Sequence, residues 1–220
     1  MPKLSRDQVI EAIREVLMRN SLNGNEFISE ARLVDLIGVS RTSIRESLNT
    51  LNVFSLLEKT QKRGVRLRKL SAKAISEIFD LRILLEGYAM DYAVKNITMM
   101  DINELEYLDR LVELATSAND KLVAAQNDLA FHRKLIELSH INVLKKVTGN
   151  LYLIESVFSI SLKRKLSEKR DPYSHQDIIK ALKANAAAKA KNVLIGHITW
   201  MRDEILESIK TEGKNDSANP

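Results

Sequence analysis

Four times along this chain an apolar residue is followed by Ser or Thr and then, four residues on, by a second apolar residue. The sets are Ile28-Ser29 with Leu33, Val39-Ser40 with Ile44, Leu70-Ser71 with Ile75, and Ile97-Thr98 with Ile102. The hydroxyl can accept from the free N–H groups that open a helix, while the apolar pair staples its first turn. A chain that repeats this device is committed to helices, and four of their starts are fixed by it. Only seven Gly and three Pro interrupt the 220 residues, so long helices can run between those starts.

Before the first start, a helix is expected over about residues 4–20, apolar at Leu4, Val9, Ile10, Ile13, Val16 and Leu17. "SLNGNEF" then breaks the period. A short helix from Glu30 to Ile37 stops at Gly38, and a third begins at Arg41 with Ile44, Leu48 and Leu51 on one face. Beyond it the period changes. In "LLEKTQKRGVRLRKL", Val65 and Leu67 alternate with Arg66 and Arg68 after a turn at Arg63-Gly64, the pattern of a small hairpin.

Three helices and a hairpin within residues 1–70 predict a winged helix-turn-helix. From Ser71 onward only helices are expected, over roughly 72–95, 101–117, 121–138, 142–166, 174–188 and 189–210. The fold class is therefore mainly α: a winged helix-turn-helix with a small β-hairpin wing, then an all-α helical bundle over 71–212. The polar segment 213–220 is expected to be a disordered tail. The join near Lys69–Ser71 is short, so movement in one unit should reach the other.

Charge divides the chain at the same place. Residues 1–70 hold 13 Lys or Arg against 8 Asp or Glu, while residues 71–220 hold 21 of each. The excess concentrates in residues 41–69, where eight basic residues face two acidic ones, Glu46 and Glu58. A local basic excess on a small unit is the footprint of a phosphate-binding surface, although a charge run alone is more often a solvated face. Here it coincides with "LVDLIGVSRTSIRESLNTL", two helices meeting at a tight turn. The second projects Arg41, Thr42 and Arg45 away from its apolar face, as a reader of the major groove requires. Ser40 and Thr42 can reach phosphates from the helix N-terminus, and Arg63 and Gly64 at the hairpin tip can meet the minor groove or the backbone.

"EARLVDLIGVSRTSIRESLNTL" followed by "KRGVRL" resembles the winged helix-turn-helix of the GntR family of bacterial transcription regulators. Members usually read close to GVSRTPVREAL, with Ser43 here standing where Pro is common. The resemblance implies double-stranded DNA as partner, an inverted-repeat operator and a homodimer. It assigns base contacts to Arg41 and Arg45, backbone contacts to Ser40 and Thr42, and the wing to Arg63 and Gly64.

In the second part the informative stretch is "QNDLAFHRKLIELSHINVL". At about 100° per residue, His132 lies only some 40° around its helix from Asp128, and both flank the stripe Leu122, Ala125, Leu129, Ile136. His175 shares a face with Ile178, Ile179 and Leu182, and His197 lies in a row with Val193 and Met201. His140 falls at a helix junction instead. One core histidine is ordinarily satisfied by a hydrogen bond. Three with a carboxylate leave two readings, a self-satisfying polar cluster or a bound divalent cation, and periodicity does not choose between them.

"NDLAFHRKLIELSHINVLKKVTGNL" resembles the D-x-x-F-H segment of the FCD domain, the helical effector domain of the FadR-type branch of GntR regulators, and "SHQDIIKALKANAAAKAKNVLIGHI" resembles its closing segment. The domain's length is similar to the shorter, VanR-like, six-helix version. In metal-binding members the ligands match Asp128, His132, His175 and His197. Such a set suits Zn²⁺ or Ni²⁺, with Mn²⁺ as a third ion of this kind. "SEIFDLRILLEGYAMDYA" resembles the domain's first helix, where an arginine at the place of Arg82 lies by the effector pocket. Arg82 would then hold a small carboxylate effector; the other reading is an ion pair with Glu86, Asp80 or Glu77.

The resemblance implies a ligand-responsive transcription regulator, and repression until the effector arrives. Two other functions fit the same ligands, a metal-dependent hydrolase and a regulator that senses the metal itself. Against the hydrolase, no H-E-x-x-H occurs and no carboxylate stands beside the ligand histidines as a general base. The chain is cysteine-free, so disulfides, thiolate nucleophiles and cysteine zinc sites are excluded. With a charged, amphipathic N-terminus and no long apolar run, the expected setting is a reducing cytoplasm with no membrane association.

Overall fold

The computed structural model describes residues 4–22, 25–52, 57–60, 62–68, 70–148, 151–152 and 172–216, and the chain divides into two compact units, Met1–Lys69 and Leu70–Pro220. Helices α1 (Arg6–Leu22), α2 (Glu30–Ile37) and α3 (Arg41–Leu51) precede strands β1 (Leu57–Thr60) and β2 (Gly64–Leu67). All four predicted caps form. The side chains of Ser29, Ser40, Ser71 and Thr98 accept from the N–H groups of Arg32, Ser43, Ala74 and Asp101, and Thr98 completes a capping box with Asp101.

In the first unit α1 packs on α2, α3 and β2 around Val9, Ile13, Leu17, Met18, Leu33, Ile44 and Leu48. The hairpin pairs Leu57 with Leu67 and Thr60 with Gly64, antiparallel, with Leu57, Val65 and Leu67 turned into this core. Ile28 bridges β2 by two backbone bonds with Val65, of 2.8 and 2.9 Å. That bridge explains Gly64. Its φ is +102°, and a Cβ there would lie 2.1 Å from the Ile28 carbonyl oxygen, so only glycine lets the wing start against Ile28.

In the second unit α4 (Ala72–Asn96), α5 (Met99–Ser117) and α6 (Lys121–Leu138) follow one another. Residues 142–148 form α7 and residues 151–152 are helical; the remainder of the helix expected over 142–166 lies outside the described residues. α8 (His175–Lys183) and α9 (Ala187–Asp216) close the unit. Helix α4 packs on α6 and α9, α5 on α6 and α8, and α8 on α9. α6 therefore lies between α4 and α5, and a side chain at its centre can meet groups from several helices.

The last break falls three residues earlier than the sequence suggests. Asn185 turns left-handed at φ 51°, and its neighbour Ala186 bonds back to the Ala181 carbonyl. The run "ANAAAKAK" is uniformly helix-prone, so periodicity cannot find the break, whereas asparagine tolerates the left-handed turn. Asn119 and His140 end their helices in the same conformation. α9 continues to Asp216, four residues into the segment expected to be a disordered tail, because an established helix extends one hydrogen bond at a time.

Candidate metal centre and nucleic-acid interface

The apolar spacing of α6 buries Leu129, Phe131, Leu135 and Ile136, and carries Asp128 and His132 inward on the same side. His175 comes from the first turn of α8, where Ser174 caps the helix, and His197 from the middle of α9. One ligand atom from each of Asp128, His132, His175 and His197 lies within 4.8 Å of all the others. The three imidazoles are buried, and the Asp128 side chain keeps 14% of its surface exposed. His140 stays outside this group, exposed at the end of α6.

The second nitrogen of each ring fixes its orientation. Nδ1 of His132 bonds the Glu86 carboxylate at 2.7 Å, Nδ1 of His175 lies 3.2 Å from Asp109 Oδ1, and Nδ1 of His197 bonds the Tyr173 carbonyl at 3.0 Å. Phe131 stacks on His175 with ring centres 3.9 Å apart. The Nε2 atoms are thus left to face one another and Asp128, with His175 Nε2 at 3.3 Å and His197 Nε2 at 3.9 Å from Asp128 Oδ1. His132 Nε2 is buried and has no hydrogen-bond partner among the described residues.

Burial would raise the Asp128 carboxyl, but the surrounding imidazoles outweigh it and hold the group well below the usual carboxylate range. Burial and the Arg82 guanidinium push His132 down to about 4. Burial opposes a proton on His175 as well, yet Asp109 and Asp128 together raise that ring to about 9.

A cation fits this set. An ion with bonds of about 2.1 Å needs donors no more than about 4.2 Å apart, so the widest pair must close by about half an ångström. Three imidazole nitrogens, among them the buried and unpartnered His132 Nε2, and one carboxylate form the donor set that such an ion satisfies.

Two roles here escaped the sequence reading, which named Glu86 only as an ion-pair partner of Arg82. Glu86 and Asp109 orient His132 and His175 as carboxylate partners, an arrangement that would raise the basicity of a ring serving as a metal ligand. The signal was present. Glu86 interrupts the buried stripe Phe79, Met90, Ala93, and Asp109 follows Ile102 and Leu105 at helical spacing. Arg82 is buried too and forms the ion pair with Glu86, the second of the two roles open to it. Arg82 and His132 together hold Glu86 at about 2 against the effect of burial. Asp80 pairs instead with Arg202, and Glu77 with Lys73.

In the first unit Arg41 and Thr42 stand exposed on the first turn of α3, with Arg45 exposed one turn on. Ser40 spends its hydroxyl on the cap, and Ser43 bonds that oxygen at 2.9 Å. Arg45 Nε is held by Glu30 of α2 at 2.8 Å, which spans the turn and restrains the guanidinium. Arg63 is exposed in the hairpin turn. Arg66 grips Glu58 through two bonds and lies 4.3 Å over the Phe27 ring, so it serves the wing's own structure.

Residues 5–67 match the model of the bacterial regulatory proteins of the gntR family, and residues 77–199 match that of the FCD domain. The chain is 25% identical over 201 residues to the HTH-type transcriptional regulator LutR of Bacillus subtilis, covering 82% of this chain and 91% of that one. It is 26% identical over 145 residues to the HTH-type transcriptional regulator YdhC of the same organism, covering 64% of this chain and 63% of that one. Among solved structures, E. coli McbR/YncC superposes with a TM-score of 0.79 at 19% identity, over 94% of this chain and all of that one, which is a likeness of fold.

Proposed function

The chain belongs to the GntR family of bacterial DNA-binding transcription regulators, with an FCD domain as its second unit, and we propose that it is a metal-dependent, acid-responsive repressor. Members of this family are regulators and not enzymes, so the ligand set is read as a sensor's. The observation that carries the reading is the buried ring of donors. Each imidazole has its Nδ1 tied to another group, and the four ligand atoms gather within 4.8 Å.

Asp128, His132, His175 and His197 would hold Zn²⁺ or Ni²⁺. Bound there, the ion would supply a positive centre with room for an incoming carboxylate. The remaining work belongs to the protein. Glu86 and Asp109 keep two ligand rings in the tautomer that presents Nε2. Arg82, held by Glu86 next to His132, offers the guanidinium a small carboxylate effector would meet, in competition with Glu86. Arg41 and Arg45 read base edges, Ser40 and Thr42 lie at the phosphates, and Arg63 and Gly64 carry the wing, with two copies of the chain on an inverted repeat. No helix among the described residues is long and apolar enough to cross a membrane.

The experiment is metal content per protomer by mass spectrometry, on the wild type and on His175→Ala, followed by operator binding of the metal-loaded form with and without organic acids. About one equivalent, mostly lost in the variant, with operator release by an acid, supports the whole reading. A response of DNA affinity to metal alone would make the metal the signal. No metal in either protein after reloading would leave Asp128 and the histidines as a self-satisfying core cluster.

A further inference from the structure

Glycine is the least helix-prone residue after proline, yet Gly196 lies well inside α9. Its φ is not positive, so the backbone conformation does not call for glycine. Tyr173 does. A Cβ at position 196 would lie 2.8 Å from Cγ and Cδ1 of that ring and 2.9 Å from Cδ2. Cγ is placed by χ1, so no turn of the ring about its own axis makes room for a methyl group. The ring therefore rests on the backbone of α9, one residue before the candidate ligand His197, while 43% of Tyr173 stays exposed.

The carbonyl of the same tyrosine accepts from Nδ1 of His197 at 3.0 Å. A carbonyl can only accept, so Nδ1 holds the proton and Nε2 keeps its lone pair on the side of Asp128. That carbonyl lies in a bend outside any helix, so no helical ladder holds it in place. Two residues on, past the Ser174 cap, His175 supplies a second candidate ligand. A large apolar residue before a capping serine commonly staples the first turn of its helix. Stapling would account for Tyr173, but it leaves Gly196 unexplained.

We propose that Tyr173 and Gly196 form a clasp that positions two ligands of the metal centre. The ring seated on Gly196 holds the Tyr173 carbonyl against His197 and fixes the start of α8, from which His175 projects. The inference rests on the metal centre of the proposed function and adds Tyr173 and Gly196 to it as positioning residues, which act through His175 and His197. His132 and His175 are oriented by the carboxylates of Glu86 and Asp109. The carbonyl at His197 Nδ1 belongs to a bend, so the orientation of that ring depends on what pins the bend.

The test compares full-length wild type with Gly196→Ala, Tyr173→Ala, the double variant and Tyr173→Phe. Zn²⁺ affinity is read by chelator competition, and stability by urea unfolding without metal. Gly196→Ala and Tyr173→Ala are each expected to weaken Zn²⁺ binding about 10–100-fold. The double variant should be no weaker than Tyr173→Ala, because the added methyl group then meets no ring. Tyr173→Phe keeps the ring and should bind as wild type does. Unfolding supplies a sign that a plain helix defect would not give. Gly196→Ala should lower the urea midpoint while the ring is present and raise it once the ring is gone, since alanine is the better helix former. Co²⁺ in place of Zn²⁺ should show an altered visible spectrum in both single variants, as its ligands shift. Losses that add in the double variant, or a Gly196→Ala protein that binds both ions as wild type does, would overturn the clasp and leave the metal centre standing. A loss in Tyr173→Phe as large as in Tyr173→Ala would assign the effect to the hydroxyl and overturn the clasp as well. A wild type that takes up no metal would remove the centre and the clasp together.

Discussion

The two units put their polar chemistry on opposite sides of their cores. In residues 1–69 the interior is Val9, Ile13, Leu17, Leu33, Ile44, Leu48, Val65 and Leu67, while Arg41, Arg45 and Arg63 stand outside. In the second unit Arg82, Glu86, Asp109, His132, His175 and His197 are all inside. On the proposed function, the difference follows from the size of the ligand. A surface that meets a polyanion must keep its charges solvated until contact, and exposed charges contribute little to folding. Groups that surround a small ion or acid must be buried together, and each is then costly unless every partner is present. Substitutions in the head should therefore change binding and spare stability. Those in the bundle's network should change stability first.

The sharpest way to break that contrast is Glu86→Ala. The variant removes the Glu86 carboxylate from buried Arg82 and leaves His132 without its anchor, and it is expected to cost about 3–5 kcal/mol in urea unfolding of the metal-free protein. Arg45→Ala in the same assay should move stability by no more than about 0.5 kcal/mol. If the two cost the same, burial does not distinguish the units in the way described.

Asp109→Asn comes next, and it separates orientation from ligation within the bundle. Asp109 Oδ1 lies 3.2 Å from His175 Nδ1, and Gln176 donates to its other oxygen. With the ligand retained but its anchoring carboxylate neutralised, metal affinity in a chelator competition is expected to fall about 10–100-fold. An unchanged affinity would mean that His175 takes no part in holding the ion, or that packing against Phe131 is enough to orient it.

What was legible in the sequence is what depends on near neighbours. The caps at Ser29, Ser40, Ser71 and Thr98 need only the next four residues, and Asp128 and His132 share one helix. His175 and His197 were found because each sits on its own helix's apolar edge. The partners of the site were not read, although Glu86 and Asp109 break apolar stripes just as Asp128 does. A carboxylate on a stripe announces burial but does not name its partner, and Glu86 and His132 are 46 residues apart. Which of Glu86, Asp80 and Glu77 pairs with Arg82 was open as well, because all three lie within reach on the same helix and only the packing around them selects Glu86. The break at Asn185 was missed for the opposite reason: the local sequence is too uniform to mark it.

Arg45→Ala sharpens the comparison from the side of the head. Glu30 engages Arg45 Nε, and the two Nη groups carry the guanidinium's other donors. If they read a guanine, the loss at the operator should be about 1–3 kcal/mol, and smaller on unrelated DNA at the same salt concentration. Equal losses on both would make Arg45 a phosphate contact, and the head would hold DNA there without reading it.

The smallest effect concerns a half-buried charge of the bundle that still meets solvent, where the rule for the head should apply more nearly than in the core. Asp101 accepts from Lys134 and from the Thr98 cap, and these bonds hold its carboxyl at about 2, below the ordinary value near 3.8. A lowered pKa in the folded chain means that the unfolded chain binds the proton first. The stabilisation is therefore complete above about pH 4 and disappears as pH falls through about 2. Asp101→Asn should accordingly have a lower melting temperature than the wild type at pH 5–7, with the gap closing between about pH 4 and pH 2. A gap independent of pH would assign the effect to the neutral geometry of the capping box. A gap as large as that of Glu86→Ala would mean that a half-buried ion pair here matters as much as a fully buried one, against the distinction between inside and outside on which both units are read.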